Sequence, residues 1–235
     1  LVVFHGKYYM FPSMTKGYFI SEDMVNWQVK KLQGLPVYDY APDVRVMGEY
    51  LYFSASRRDA NCDFYRTKDP ESGVFEKIEG TFDFWDPNLF VDDDGRAYQF
   101  YSSENNETMY ISLLTDDYLK PSGRFTRNFV KESREAPAVF KYNGKYYFSY
   151  STGDTHRLCY AVGDNPYGPF TYRGVILTPV VGWTTHHAII EYQNKWYLFH
   201  HDCVPSGGKT WLRSLKVTEL EYDMDGNIIT IDGGA

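Results

Sequence analysis

The sequence predicts an all-β chain folded as a five-bladed β-propeller, with about four antiparallel strands per blade. Three observations carry that reading. A hairpin-like segment occurs five times, an acidic turn keeps phase with it, and no stretch shows helical periodicity. The 235 residues are filled by the five units, so the chain is expected to be one propeller domain over 1–235.

The first copy is Gly6-Lys-Tyr-Tyr-Met-Phe-Pro-Ser13. It returns as Gly48-Glu-Tyr-Leu-Tyr-Phe-Ser-Ala55, Gly95-Arg-Ala-Tyr-Gln-Phe-Tyr-Ser102, Gly144-Lys-Tyr-Tyr-Phe-Ser-Tyr-Ser151 and Asn194-Lys-Trp-Tyr-Leu-Phe-His-His201, at intervals of 42, 47, 49 and 50 residues. A turn residue followed by an aromatic, β-rich run reads as the second strand of a hairpin. About twenty residues after the hairpin stands an acidic turn: Ser21–Trp27, Thr67–Gly73, Thr115–Tyr118 and Gly163–Gly168. That leaves each repeat room for about four short strands, the size of a propeller blade.

Composition narrows the partners. A net charge of −7 argues against nucleic acid and anionic membranes, which call for clustered Lys and Arg. No run approaches the roughly 20 apolar residues of a membrane helix. Aromatics make up 18% of the chain, more than a core alone needs, so some are expected as flat platforms for sugar rings. Cys62, Cys159 and Cys203 are widely spaced and odd in number, which reads as buried small hydrophobes rather than a disulfide or zinc framework. Within His186-His187 and His200-His201, adjacent strand residues face opposite ways, so each pair offers one ligand at most to any site.

First strands of propeller blades line the central channel, so the residues ahead of each hairpin glycine converge. Asp86 stands nine residues before Gly95, and Glu135 nine before Gly144. Aligning the Ala-Pro pairs puts Tyr40 opposite Glu135, and His186 falls near the same level in blade five. Carboxylates that interrupt apolar strand segments need partners or a task, and two at one offset point to a shared polar site. Tyr40, Trp85 and Trp183 flank it, with stacking on a ligand or packing between blades as their two readings.

The ordered set resembles glycoside hydrolase family 43. It comprises Tyr40-Ala-Pro-Asp-Val44, Asp86-Pro with Phe90–Tyr98, Glu135-Ala-Pro with Gly144–Tyr147, and His186-His-Ala-Ile with Lys195–Phe199. The resemblance implies an inverting glycosidase on arabinose- or xylose-containing plant oligosaccharides or polysaccharides, above all an exo-acting α-L-arabinofuranosidase or β-xylosidase. It implies Glu135 as general acid, Asp86 as the aspartate that orients and tunes it, His186 as the channel histidine beside a calcium ion or water, and Arg213 as a substrate contact. No cofactor is required for the chemistry, though the resemblance admits calcium in the central channel with His186 as its ligand.

The family's general base opens blade one in an Asp-Pro. The nine-residue offset from Gly6 puts it ahead of Leu1, so the N-terminus is expected to be truncated inside the first blade. Asp39 and Asp43 are the nearest blade-two carboxylates. The alternative class is a non-catalytic carbohydrate-binding propeller whose blade-one aspartate is absent.

Overall fold

The computed structural model describes residues 1–13, 15, 17–31, 35, 40–58, 61–103, 108–115, 120–128, 130, 132–182 and 186–234, with backbone alone at 80 and 123–128. The described chain is nearly all strand, with two single-turn 3₁₀ segments at Pro70–Ser72 and Val204–Ser206. Its strands form five small antiparallel sheets taken up in chain order, the fold class of a five-bladed β-propeller. Two compact units divide the chain, Leu1–Thr126 and Arg127–Ala235.

In the first unit, β1 (Val2–Phe4), β2 (Lys7–Met10), β3 (Gly17–Ser21) and β4 (Gln28–Lys31) make one sheet. The second is β5 (Tyr40–Met47), β6 (Tyr50–Ser56), β7 (Cys62–Thr67) and β8 (Glu76–Phe82). The third is β9 (Trp85–Val91), β10 (Ala97–Ser102), β11 (Met109–Leu114) and β12 (Pro121–Asn128). The second unit holds β13 (Ser133–Tyr142), β14 (Lys145–Thr152), β15 (Leu158–Gly163) and β16 (Thr171–Leu177). Its other sheet is β17 (Ala188–Tyr192), β18 (Lys195–Asp202) and β19 (Ser214–Leu220), so blade five has three strands among the described residues rather than four.

Each predicted hairpin forms, and each turns on a left-handed residue. His5-Gly6, Asn143-Gly144 and Gln193-Asn194 are two-residue turns with both φ angles positive, which match the right-handed twist of the flanking strands. The acidic turns close the next connection. Asp23 accepts the backbone N–H groups of Val25 and Asn26 at 2.8 and 2.7 Å, and Asp69 caps the first 3₁₀ turn. The turn at 116–119 lies outside the described residues.

Most aromatics pack between neighbouring sheets, not on the surface. Phe4, Tyr9, Phe11, Tyr18, Leu51 and Phe53 form one core cluster, and Tyr52, Phe64, Phe84, Leu89 and Tyr101 contribute to another. The second unit repeats the plan with Phe140, Tyr147, Tyr160, Leu198 and Leu220. Among the described residues Tyr40, Tyr167, Tyr172 and Trp211 are the exposed aromatics. Rings fill the space between neighbouring sheets with little rotamer entropy to lose. The three cysteines are buried and unpaired, as their spacing predicted.

Candidate active site

A shared backbone device opens blades two, three and four. Tyr40 pairs with Ser56, Trp85 with Ser102, and Glu135 with Ser151, and each first strand then bulges before pairing resumes. The next residue in each blade, Ala41, Asp86 and Ala136, precedes a proline and has φ of 45°, 49° and 54°. None is glycine, so each position costs about 1–2 kcal/mol. Strain repeated at three equivalent positions marks a feature the surrounding structure holds in place.

This register corrects the nine-residue offset. Glu135 is equivalent to Tyr40 and Trp85, whereas Asp86 is equivalent to Ala41 and Ala136, one residue further on. The reason is turn length. Five residues separate Val91 from its partner Ala97, but two separate Tyr142 from Lys145, so counting back from the glycine slips by one.

In the first unit, Asp86 is 4% exposed and its backbone N–H donates to Ser56 Oγ at 2.8 Å, which ties blade three to the end of β6. Trp85 is buried, and its carbonyl accepts from Ser102 Oγ at 3.2 Å. The Tyr40 and Trp85 rings lie 5.4 Å apart, tilted by 35°, with Tyr40 open to solvent. The Arg58 guanidinium sits over both, 5.6 Å from the Tyr40 centroid and 5.5 Å from that of Trp85. Asp43 is spoken for. Its carboxylate accepts the Leu89 N–H at 2.7 Å and Asn88 Nδ2 at 3.4 Å, which braces β5 against β9. Burial pushes its pKa up, against the pull of Arg45 and the Leu89 amide.

In the second unit, Glu135 is half-buried, and a carboxylate oxygen of Glu135 and a ring nitrogen of His186 lie within 4.8 Å of each other. His187 points elsewhere, with Nε2 2.7 Å from Ser149 Oγ on β14. Arg213 is exposed, and its Nε donates to the Thr210 carbonyl at 3.1 Å. The sequence reading missed His201. It is 9% exposed, and its pKa falls to about 3, chiefly through burial and then through the charges of Arg213 and His186. Its place at the end of the aromatic run was visible in the sequence, but its neighbours were not. Trp183 and Asp39 lie outside the described residues.

Glu135 and His186 offer one oxygen and one nitrogen ligand, so a calcium ion held there would need water or other groups to complete its about six to eight oxygen ligands. A divalent ion there would also hold the carboxylate ionised and so prevent it from donating a proton.

Strained blade starts that carry carboxylates, an imidazole and aromatic rings are the apparatus of a carbohydrate-active β-propeller. The chain belongs to the glycosyl hydrolases of family 43, whose family model matches residues 2–228. It is 40% identical to a β-xylosidase of Xylanibacter ruminicola over a 303-residue alignment that covers 97% of this chain and 94% of that protein. With a xylosidase/arabinosidase of Bacteroides ovatus it shares 83% identity over 123 residues, 52% of this chain and 37% of that one. Among solved structures, RS223-β-xylosidase matches with a TM-score of 0.80 at 39% identity, covering 94% of this chain and 85% of the other. A family 43 enzyme from Xanthomonas citri complexed with xylose matches with a TM-score of 0.82 at 31% identity, over 99% of this chain and 89% of its own.

Proposed function

We propose that this protein is an exo-acting, inverting glycosidase that releases terminal xylose or arabinofuranose from plant xylan oligosaccharides, with Glu135 as the proton donor. The observation that carries the reading is the placement of Glu135. It is a half-buried carboxylate at the first position of a strained bulge, beside His186, in a chain that belongs to a glycosidase family along nearly all its length. The proposal takes 1–235 as one catalytic propeller domain. β-Xylosidase activity is favoured because two relatives that align along nearly the whole chain carry that name alone and two others carry it beside an arabinosidase or arabinofuranosidase name.

Inversion needs an acid to protonate the leaving oxygen and a carboxylate base on the opposite face, about 6.5–9.5 Å away, to activate water. A glutamate with an ordinary pKa is ionised at neutral pH and cannot donate. In the proposal Asp86 supplies a neighbouring negative charge that disfavours ionisation of Glu135 and so keeps its proton in place. His186 and Arg213 hold sugar hydroxyls, and Tyr40 and Trp85 present ring faces to the apolar faces of the pentose. The oxygens of Asp43 are engaged by β9, which argues against it as the base.

The test is Glu135→Gln, which keeps the shape and removes the proton. Hydrolysis of xylobiose should fall by about 10²–10⁴-fold, and hydrolysis of an aryl xyloside, whose leaving group needs little protonation, should fall far less. Equal losses on the two substrates would make Glu135 a binding residue.

A further inference from the structure

We infer that Trp211 is a platform for the sugars beyond the first leaving-group residue of a bound xylo-oligosaccharide, and so sets the preference for chain length. The inference rests on the glycosidase reading and adds to it a residue and a subsite. Its basis is the loop 203–213, which joins β18 to β19 and presents an exposed tryptophan at the end of blade five that carries His186.

Strand register fixes which end that is. In blade four Glu135 pairs with Ser151, next to the last residue of β14, so the proton donor lies where the second strand finishes. In blade five Ala188 pairs with Phe199, and two further steps of the same antiparallel register set His186 level with His201, next to the last residue of β18. The loop leaves from that end and returns to it, because Asp202 pairs with Ser214. Glu135 and His186 approach within 4.8 Å, and both blades belong to one compact unit. The loop therefore rises from the end of that unit that holds the proton donor.

Trp211 is 75% exposed, the one exposed tryptophan among the described residues, and Leu212 beside it is 51% exposed. Tryptophan is among the more buried residue types, and its broad apolar faces favour cover. The loop holds this one still. On one side of it the Thr210 carbonyl accepts Arg213 Nε at 3.1 Å. On the other, the Leu212 carbonyl accepts Ser206 Oγ at 2.9 Å, and the Leu212 N–H donates to the Lys209 carbonyl at 2.8 Å. At the foot of the loop the Cys203 N–H donates to the Val181 carbonyl at 2.7 Å. A backbone already fixed on both sides lowers the ordering cost of binding.

The occupant follows from the chemistry. A pentose ring has an apolar C–H face that an indole can cover without a hydrogen bond, so the contact tolerates an open, wet position. In an exo-acting enzyme the terminal sugar is enclosed and the rest of the chain runs toward solvent. Arg213 adjoins the start of β19, and Trp211 stands two residues further out along the loop, which suits it to the outer sugars rather than to the scissile bond.

The experiment measures xylobiose and xylotetraose hydrolysis by Trp211→Ala and Trp211→Phe in the full-length protein. In Trp211→Ala, kcat/KM for xylotetraose should fall about fivefold, mostly through KM, and that for xylobiose less than about twofold. Trp211→Phe should recover part of the xylotetraose loss. Equal losses on the two substrates would make Trp211 a support for the loop, and no loss on xylotetraose would place it outside the subsite. Either result overturns the inference. Light scattering should give Trp211→Ala the wild-type mass, and a smaller assembly would mean that a second copy covers the ring, which also overturns it. Direct binding in the Glu135→Gln background separates this from the activity reading. There Trp211→Ala should weaken xylotetraose about fivefold and xylobiose little, whether or not the wild-type protein turns either over, and equal weakening overturns the inference.

Discussion

Blades three and four begin with the same bulge and use it differently. In blade three the position paired to the second strand is aromatic, Trp85, and the strained residue after it is the carboxylate Asp86. In blade four the paired position is the carboxylate Glu135, and the strained residue is Ala136. The backbone thus offers two side-chain directions per blade, and the sequence chooses which one carries charge. Asp86 is 4% exposed and anchored through its own amide, whereas Glu135 is half-buried. Similar residues one position apart are therefore suited to different work. In the proposed function one tunes and the other donates.

The comparison breaks most visibly at the paired position. Glu135→Gln should cost xylobiose hydrolysis about 10²–10⁴-fold. Trp85→Phe, at the equivalent position of blade three, should cost less than about tenfold and act through KM, since it trims a packing face and leaves proton transfer alone. Steady-state kinetics on the two variants decide it, and comparable losses in kcat would erase the distinction.

Ionisable groups separate the units further. His201 has a folded pKa of about 3 against an ordinary value of 6.5, because burial disfavours the charged ring. The unfolded chain takes up a proton below pH 6.5 and the folded protein does not until near pH 3. The stability contributed by the neutral ring is therefore complete above 6.5 and lost as pH falls toward 3. Denaturant unfolding should show a loss of about 2–3 kcal/mol between pH 7 and pH 4.5 that His201→Gln removes. An unchanged acid slope in that variant would assign the loss to other groups.

A smaller effect is expected at Ser56. Ser56→Ala removes the acceptor of the Asp86 amide, leaves a buried donor unpaired and should cost about 1–3 kcal/mol of stability. If blade three needs that anchor, kcat on xylobiose falls with it, and an unchanged kcat would make the contact one of stability alone. The least effect is a gain. Ala136→Gly relieves a left-handed alanine and should stabilise by about 0.5 kcal/mol, read as a small rise in Tm.

Much of this was legible in the sequence. Hairpin turns and alternating aromatic strands are local chemistry, so five copies of Gly or Asn followed by Lys/Arg/Glu and aromatics gave the blades, and the Ala-Pro alignment paired Tyr40 with Glu135 correctly. Counting from the hairpin glycine did not work for Asp86, because turn length varies between blades while bulge register does not. Arg58 over Tyr40 and Trp85, Ser56 on the Asp86 amide and Asp43 on Leu89 all cross between blades, and no spacing rule announces such contacts. The third strand of blade five stands without a fourth among the described residues, a difference that an evenly spaced repeat hid.

The pH dependence of kcat/KM on xylobiose tests the division of labour most directly, measured for the wild-type protein and for Asp86→Asn. The basic limb reports ionisation of the proton donor. Removing the negative neighbour makes Glu135 easier to ionise, so the limb should move to lower pH in Asp86→Asn while the maximal rate also drops. A basic limb that stays in place, with only the rate reduced, would contradict the account and leave Asp86 a structural residue.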